Sequence, residues 1–444
     1  MQYIPNLIFA LLLIAGIGYF SFNVKKLFRN INLGLDVNRT DNKSQRFKNM
    51  AKVALGQSKM VRRPIAGFLH VVVYVGFLII NIEVLEIIID GLLGTHRIFA
   101  PFFGGVYDLL IAAFEILAFA VLVTVIIFWL RRNVIKLKRF LSSEMKGWPK
   151  SDGNIILYFE VVLMLLFLTM NAADFQLQNL RAEHYAKAGS FPISSWMILP
   201  FIENMSQASL IILERTAWWI HITGILCFLN YLYFSKHLHI LLAFPNTYFA
   251  KLTPNGQFPN SEVVTAEVKM MMDPSADSFA TSEPTAPETE EVAKFGASDV
   301  TDLNWVQLLN AYTCTECGRC TSECPANQTG KKLSPRKIMM DTRDRLEEVG
   351  KNIDKNGSFI SDGKQLLNDY ITKEELWACT TCNACVEACP VSIDPLSIIN
   401  EMRQYLVMEE SAAPTELNNM MSNIENNGAP WPYNQMDRLN WVDE

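Results

Sequence analysis

CTECGRCTSECP at residues 314–325 and CTTCNACVEACP at residues 379–390 are two copies of one pattern in a chain of 444 residues. Each copy has the spacing C-x2-C-x2-C-x3-C, followed directly by proline. Eight of the nine cysteines lie in these two runs, and Cys227 stands alone in an apolar stretch. A disulfide framework spreads its cysteines to join distant loops, so this grouping indicates reduced thiolates that bind metal in a reducing compartment.

The spacing is the one that bacterial ferredoxins use for [4Fe–4S] clusters, in which the fourth cysteine of each run binds the other cluster. The first predicted set of ligands is Cys314, Cys317, Cys320 and Cys389. The second predicted set is Cys379, Cys382, Cys385 and Cys324. Structural zinc is the competing interpretation, but zinc sites usually pair C-x2-C units to give four ligands in total. Two complete four-cysteine runs with prolines favour two clusters.

Helical patterns surround these runs and define the soluble part of the chain. SPRKIMMDTRDRLEE (334–348) has a Ser-Pro helix start, and 392–409 is amphipathic. Residues 298–410 are therefore predicted to form a helical two-cluster, ferredoxin-like domain. Residues 259–297, rich in Ser, Thr, Glu, Ala and Pro, are predicted to be a flexible acidic linker.

The tail at 411–444 is polar, with Trp431, Tyr433 and Trp441 spaced along it. Aromatic residues in such a tail favour a surface that binds a partner. A tail that folds back on its own domain is the alternative.

Half of the chain is hydrophobic and only 19% is charged, and the apolar excess is concentrated before about residue 245. Five apolar runs are long enough for membrane-spanning helices, which need roughly 20 residues. They lie near 4–22, 64–90, 104–130, 154–175 and 211–236. We interpret the first as a retained helix, because no basic segment precedes it and no small-residue cleavage site follows it. Residues 1–258 are thus predicted to be a five-helix membrane domain, and the whole protein mainly α.

The distribution of lysine and arginine among the loops predicts the orientation of the chain in the membrane. The segment between the first two runs holds eleven of them and the segment between the third and fourth holds seven, against three in the other two connections. Basic loops stay in the cytoplasm, so the N-terminus is expected outside and the cysteine domain in the cytoplasm. The basic residues flank membrane spans rather than forming a basic soluble domain, which excludes nucleic-acid binding.

Four of the six histidines lie in or at the ends of the second and fifth runs, at His70, His221, His237 and His239. Ionisable residues inside a membrane are costly, and a haem iron takes axial imidazoles from two facing helices. His70 and His239 are at depths that allow a shared inner haem, if the fifth helix continues to His239. His221 would serve an outer haem or pair with His70. Helix-packing and interfacial histidines are the alternative.

Acidic residues also fall within the runs, at Glu83, Glu86, Glu115 and Glu160. Glu83 and Glu86 are expected at the membrane interface. Glu115 is deeper and is a candidate for a proton or quinone role.

These motifs together resemble the heterodisulfide reductase-related membrane iron–sulfur proteins. In these, a cytochrome b module similar to the nitrate reductase gamma subunit is fused to a heterodisulfide reductase C-like two-cluster domain. The matching membrane motifs are RRPIAGFLH (62–70), WWIH (218–221) and SKHLH with PN (235–246). The soluble ones are both cysteine runs and MSNIENNGAPW in the tail.

The resemblance implies b-type haem, one or two, with His70, His221 and His239 as axial ligands and His237 as an adjacent candidate. It also implies exchange with quinone or menaquinone. The family pattern has a second histidine further along helix two, and GFLIINIE (76–83) has none. Many relatives also carry cysteine-rich CCG domains, so a separate CCG-domain protein is an expected partner.

The predicted function is electron transfer between a cytoplasmic redox subunit and the quinone pool of the bacterial cytoplasmic (inner) membrane. Two [4Fe–4S] clusters and b-type haem would carry the electrons. A complete enzyme acting alone is disfavoured, because no nucleotide fingerprint, flavin motif or nucleophile with its base occurs. The remaining alternative is a non-redox anchor or scaffold with structural clusters and no haem.

Overall fold

Five helices in the first half of the chain are long and apolar enough to cross a bilayer. The computed structural model describes residues 3–258, 260, 262–273 and 294–442. The α-helices up to residue 248 are α1 (Ile4–Ile31), α2 (Lys43–Met50), α3 (Pro64–Leu93), α4 (Ala100–Phe103), α5 (Gly105–Asn133), α6 (Trp148–Asn179), α7 (Pro192–Met197), α8 (Leu199–Ile202), α9 (Gln207–Leu232) and α10 (His239–Tyr248). The five candidate membrane spans are α1, α3, α5, α6 and α9.

The ends of these helices have clear sequence causes. Proline stands in the first turn of α1, α3 and α6, where its missing N–H has no helical partner to lose. Gly94 ends α3 with a φ of +73°, the left-handed conformation that favours glycine. Helices α1 and α5 run beyond the predicted spans, because their basic last turns stay helical outside the apolar stretch. The five-helix prediction is confirmed.

The fifth predicted span is interrupted before its histidines. Helix α9 ends at Leu232, and a 3-10 turn over Lys236–Leu238 leads into α10. Asp152 of α6 fixes this break, since its carboxylate accepts from the Tyr231 hydroxyl at 2.6 Å and from the Lys236 N–H at 3.1 Å. A helix that continues from His221 to His239 is therefore wrong.

The second half is also helical. Its α-helices are α11 (Glu262–Met272), α12 (Trp305–Thr313), α13 (Arg319–Glu323), α14 (Pro325–Gln328), α15 (Pro335–Asn356), α16 (Leu366–Asp369), α17 (Lys373–Trp377), α18 (Ala384–Ala388), α19 (Pro395–Met408) and α20 (Thr415–Asn427). Short 3-10 or π turns occupy Ala51–Leu55, Met60–Arg62, Lys138–Phe140, Ser143–Met145, Val300–Asp302 and Gln435–Val442. In the described ranges, β-pairing is limited to the bridges Leu35–Asn304 and Leu367–Ile371.

The two helices predicted around the cysteine runs are present. Ser334 caps α15, because its hydroxyl accepts from the Lys337 N–H, and Gly357 ends the helix with a φ of +82°. The helix predicted at 392–409 is α19, with Asp394 as its N-cap. The mainly α fold class predicted from the sequence is thus confirmed.

The predicted linker contains structure that its composition did not indicate. Helix α11 lies inside it, and its Glu, Ala, Lys and Met residues favour helix. The Ala297 N–H donates to the Glu401 carbonyl at 3.1 Å, so the end of the segment packs on α19. Residues 274–293, which hold most of the predicted flexible stretch, lie outside the described residues.

The cysteine domain packs directly against one end of the helix bundle, which we call the cluster end. A single apolar cluster runs from Leu27 and Phe228 of the bundle to Val300 and Leu308 of the cysteine domain. The segments that carry the basic residues of the first half, before α3 and between α5 and α6, lie at this same end. The two halves are therefore one packed body where they meet.

Arg345 of α15 is a fully buried cation that holds the cysteine domain together. Its guanidinium binds Asp299 at 2.7 Å and Asp362 at 2.6 Å, and donates to the Lys364 carbonyl at 2.8 Å. Removing one partner from a buried ion pair leaves the other charges uncompensated, which costs about 3–5 kcal/mol.

We expect Arg345→Met to lower the temperature at which the cluster absorbance is lost in the purified protein. A drop of about 10 °C or more corresponds to that cost in a domain of this size. The matched control is Lys364→Met, which removes an exposed pair with Glu348 and should change little. Equal melting of both variants would show that Arg345 is not a stability centre.

Candidate functional site

The first predicted set of cysteines lines one cavity. Cys314 and Cys317 lie between α12 and α13, Cys320 lies in the first turn of α13, and Cys389 directly follows α18. The cavity is closed by the side chains or backbone of Gly318, Arg336, Met339, Pro390, Val391, Ile393 and Pro395. The structure thus brings the fourth cysteine of the second run to the three cysteines of the first.

The second predicted set is also assembled across the two runs. Burial raises the pKa of the Cys379 thiol, and the nearby thiols of Cys324 and Cys382 raise it further. Burial likewise raises the pKa of Cys385, with further contributions from Cys379 and Cys324. Cys324 of the first run therefore lies among the cysteines of the second.

The chemistry of these thiols fits iron–sulfur clusters. Burial raises the pKa of Cys314 to about 12 and that of Cys389 to about 11, so without a cation these thiols stay protonated. An iron cluster supplies the positive charge that thiolate ligands require. Backbone N–H groups of Thr381 and Ile393 point at the sulfurs of Cys379 and Cys389, at 3.4 and 3.2 Å.

The thiols do not converge on a point. In the part of the chain that the structure describes, no group of three or more His, Cys, Asp or Glu side chains is close enough to hold a single ion. A [4Fe–4S] cluster takes one cysteine on each iron, so its ligands stand around a larger volume. The cavity described above has this arrangement.

A histidine pair lies at the cluster end of the bundle. The rings of His70 in α3 and His239 in α10 have centroids 6.5 Å apart. This is close to the separation of two imidazoles on one metal, about 6 Å when each metal–nitrogen bond is about 2 Å. The Nδ1 atom of His239 lies 3.1 Å from the Lys236 carbonyl, which fixes the ring and leaves Nε2 for a metal. Nδ1 of His70 is buried without a hydrogen-bond partner.

His237 and His221 have different surroundings. The His237 ring lies 5.4 Å from that of His239 and 5.5 Å from Phe228. Burial lowers the pKa of His237 to about 3 and lowers that of His239 as well, so both imidazoles are neutral. His221 is 2% exposed, its Nδ1 has no hydrogen-bond partner, and its ring neighbour is Phe167. The residues present fit one haem between His70 and His239.

The acidic residues of the spans are enclosed by neighbouring helices. Glu83 and Glu86 are each 3% exposed, so their side chains face the interior of the bundle, and their interfacial depth stays a prediction. Glu115 accepts from the backbone N–H groups of Ile193 and Ser194 at the start of α7, and from the Asn171 amide. Its carboxylate therefore anchors a short helix that folds back into the bundle.

Arg319 links the first cysteine cavity to the membrane helices. It lies between Cys317 and Cys320 in the chain, is 4% exposed, and donates to the carbonyls of Lys59 and Met60 at 3.1 and 3.0 Å. These carbonyls immediately precede α3, which carries His70. The guanidinium also interacts electrostatically with Cys317.

Lys236 makes a second link, beside the other histidine. Its ammonium forms a buried ion pair with Glu316, which lies within the first cysteine run, while its carbonyl faces His239. Sequence reasoning missed both Arg319 and Lys236, although a charged residue between two predicted ligands is a signal that points to Arg319.

A family model described as a 4Fe–4S dicluster domain matches residues 313–393. The chain is 28% identical over 471 residues to a probable iron-sulfur-binding oxidoreductase, FadF, of Bacillus subtilis, covering 99% of this chain and 61% of the relative. It is 26% identical to an EtfAB:quinone oxidoreductase of Syntrophomonas wolfei, covering 92% of this chain and 55% of the relative.

A third relative is matched over a shorter stretch. It is a subunit of a ferredoxin/F(420)H(2)-dependent CoB-CoM heterodisulfide reductase of Methanosarcina acetivorans, 35% identical over 107 residues, 24% of this chain and 52% of the relative. The chain therefore spans between half and two thirds of the length of these relatives. No solved structure matches it.

Proposed function

We propose, from the premise that this chain is a heterodisulfide reductase-related iron–sulfur protein with a 4Fe–4S dicluster domain, that it passes electrons between a cytoplasmic redox partner and the quinone pool. The observation that carries the proposal is the direct connection of the first cysteine cavity to the His70–His239 pair. Lys236 touches both sides of this connection, and Arg319 joins the first cysteine run to the segment that precedes α3. Iron–sulfur relatives, one of which is named a quinone oxidoreductase, support it.

The protein's residues hold and arrange the carriers. The two crossed cysteine sets would hold two [4Fe–4S] clusters, and His70 and His239 would hold one b-type haem. When bound, these groups supply one-electron transfer. Arginine side chains place positive charge beside the thiolates, whose clusters carry net negative charge. Arg319 and Arg139 lie near Cys317, and Arg403 lies near Cys379. The rigid contacts between the halves keep the sites at a fixed separation.

The second cysteine set would face the partner. Cys382 of the second set is exposed, whereas the four cysteines of the first set are all buried or half-buried. The tail adds an apolar surface, since Trp431, Tyr433 and Trp441 have exposed fractions of 52%, 68% and 72%. We propose that a cytoplasmic redox subunit, such as a separate CCG-domain protein, binds there. The N-terminus then lies outside the cytoplasmic (inner) membrane.

The first test is a reduced-minus-oxidised optical spectrum of the purified full-length protein, with haem and iron content per chain. We expect a b-type alpha band, one haem and roughly eight non-haem irons, as two four-iron clusters require. A naphthoquinol added to the oxidised protein should produce the same alpha band. Eight irons without haem would overturn the histidine assignment and favour a non-redox anchor with structural clusters.

A further inference from the structure

Arg319 is a buried cation whose counter-charge is not a carboxylate. It is the only lysine or arginine in the run CTECGRCTSECP, and its side chain is 4% exposed. The groups that act on it electrostatically are the thiols of Cys317 and Cys389 and the neighbouring Arg63. A buried charge is costly unless an opposite charge compensates it. The thiolates of the first cysteine set are therefore the counter-charge that Arg319 needs.

The backbone before α3 holds the Arg319 guanidinium in place. Its two terminal nitrogens donate to the carbonyls of Lys59 and Met60 at 3.1 and 3.0 Å. The Met60 segment in turn packs tightly on α3, because a Cβ added at Gly67 would lie 2.9 Å from the Met60 carbonyl oxygen. Gly67 lies one helical turn before His70. The position of the guanidinium relative to His70 is thus fixed by backbone contacts.

The charge of Arg319 acts on both of the sites that these contacts join. It interacts electrostatically with Cys317 and also with His70. Arg139 acts on Cys317 as well, but the groups that act on His70 are His239 and Arg319. Among the residues that the structure describes, Arg319 is therefore the cation that the first cysteine set and the histidine pair share.

A shared positive charge has a defined effect on two one-electron carriers. Reduction adds one electron to a [4Fe–4S] cluster or to a haem, so a nearby cation stabilises the reduced form of each and raises its potential. The effect is larger in a buried site, where the dielectric constant is below that of water. Because one cation acts on both sites, both potentials move in the same direction and their difference changes less than either.

We infer that Arg319 is a positioning residue that raises two reduction potentials together, by holding one buried charge against the first cysteine set and against His70. The inference rests on the proposed electron transfer through these two sites. It adds the residue that keeps the two carriers matched in potential.

The test is a redox titration of the purified full-length protein with Arg319→Gln. Electron paramagnetic resonance reports the clusters and the alpha band reports the haem. At the midpoint potentials of the unchanged protein, the ratio of reduced to oxidised carrier should fall by about tenfold or more at the first cluster and about threefold or more at the haem. Arg319→Lys keeps the charge and should restore most of both ratios, which a purely structural role would not produce.

Two other arginines provide matched controls. Arg139→Gln should lower the potential of the first cluster and leave that of the haem unchanged, because Arg139 acts on Cys317 but not on His70. Arg403 lies near Cys379 and donates to the Leu376 carbonyl at 2.7 Å. Arg403→Gln should therefore lower the potential of the second cluster alone.

The haem measurement stays decisive if Arg319→Gln loses the first cluster. The comparison is then Cys317→Ala, which lacks the same cluster but keeps Arg319. A lower haem potential in Arg319→Gln than in Cys317→Ala supports the inference, and equal potentials overturn it. Loss of haem from Arg319→Gln, with haem retained in Cys317→Ala, shows a structural role and also overturns it.

The outcomes separate this inference from the proposed function. Unchanged potentials in Arg319→Gln, with both clusters present and haem still reduced by quinol, overturn the role of Arg319 and leave the electron-transfer proposal standing. Both potentials lowered, in a protein whose haem no quinol reduces, support the role of Arg319 and overturn the exchange with quinone. Absence of haem from the unchanged protein overturns both.

Discussion

Replacement of Cys389 by alanine is expected to remove the cluster of the first cysteine run, although Cys389 belongs to the second. Its thiol lines the cavity of Cys314, Cys317 and Cys320, so this cluster would lose one of its four ligands. The iron content should fall from roughly eight to roughly four per chain, because the other cluster keeps all of its ligands. Electron paramagnetic resonance of the reduced protein reports which signal is lost.

The crossed assignment of Cys324 and Cys389 is tested by comparing which paramagnetic resonance signal each cysteine variant loses. Cys389→Ala and Cys317→Ala should lose the same signal, whereas Cys324→Ala should match Cys382→Ala. The matched control is Cys227→Ala in α9, which should keep both signals and all of the iron, since Cys227 is exposed and distant in the chain from both runs. If Cys389→Ala instead matches Cys382→Ala, each run holds its own cluster and the crossed assignment is wrong.

The second large effect concerns the histidine pair. His70→Ala or His239→Ala is expected to abolish the haem absorbance, because a haem with two axial imidazoles loses one of its two protein bonds. The 6.5 Å separation of these rings is the geometric reason for choosing this pair. Haem content per chain, measured as the pyridine complex, and the reduced-minus-oxidised spectrum are the measurements.

His221→Ala provides the contrast. The His221 ring neighbours Phe167 rather than another histidine, so its loss should leave one haem per chain. Non-haem iron should stay at its original value in all three variants, because the cysteine sets are on separate elements. Loss of haem in His221→Ala, with retention in His239→Ala, would reverse the assignment.

Much of this organisation is predictable from local sequence. The cysteines of each run are close together in the chain, so their spacing is sufficient to predict a cluster site. The membrane spans are continuous apolar stretches, so hydropathy is sufficient to predict them. The crossing of Cys324 and Cys389 comes from a general property of this spacing rather than from local geometry.

Other features depend on contacts between distant residues. The break after Leu232 needs Asp152, which lies about 80 positions earlier and accepts from the Lys236 N–H. The position of Glu83 towards the end of α3 predicts an interfacial side chain, and only the packing of neighbouring helices around it buries it. Hydropathy does not carry such information, because the partner of each polar group lies elsewhere in the chain.

The buried ion pairs at the cluster end have a consequence for rates. Lys236–Glu316 and Arg336–Glu144 have side chains that are at most 10% exposed, so dissolved salt screens them little. Electron transfer between a haem held by His70 and His239 and a cluster held by the first cysteine set should therefore be nearly independent of ionic strength. A soluble partner would reach the second set, whose Cys382 is exposed, by diffusion. The rate of that encounter would change with ionic strength. Kinetics as a function of salt would thus separate the internal step from the bimolecular one.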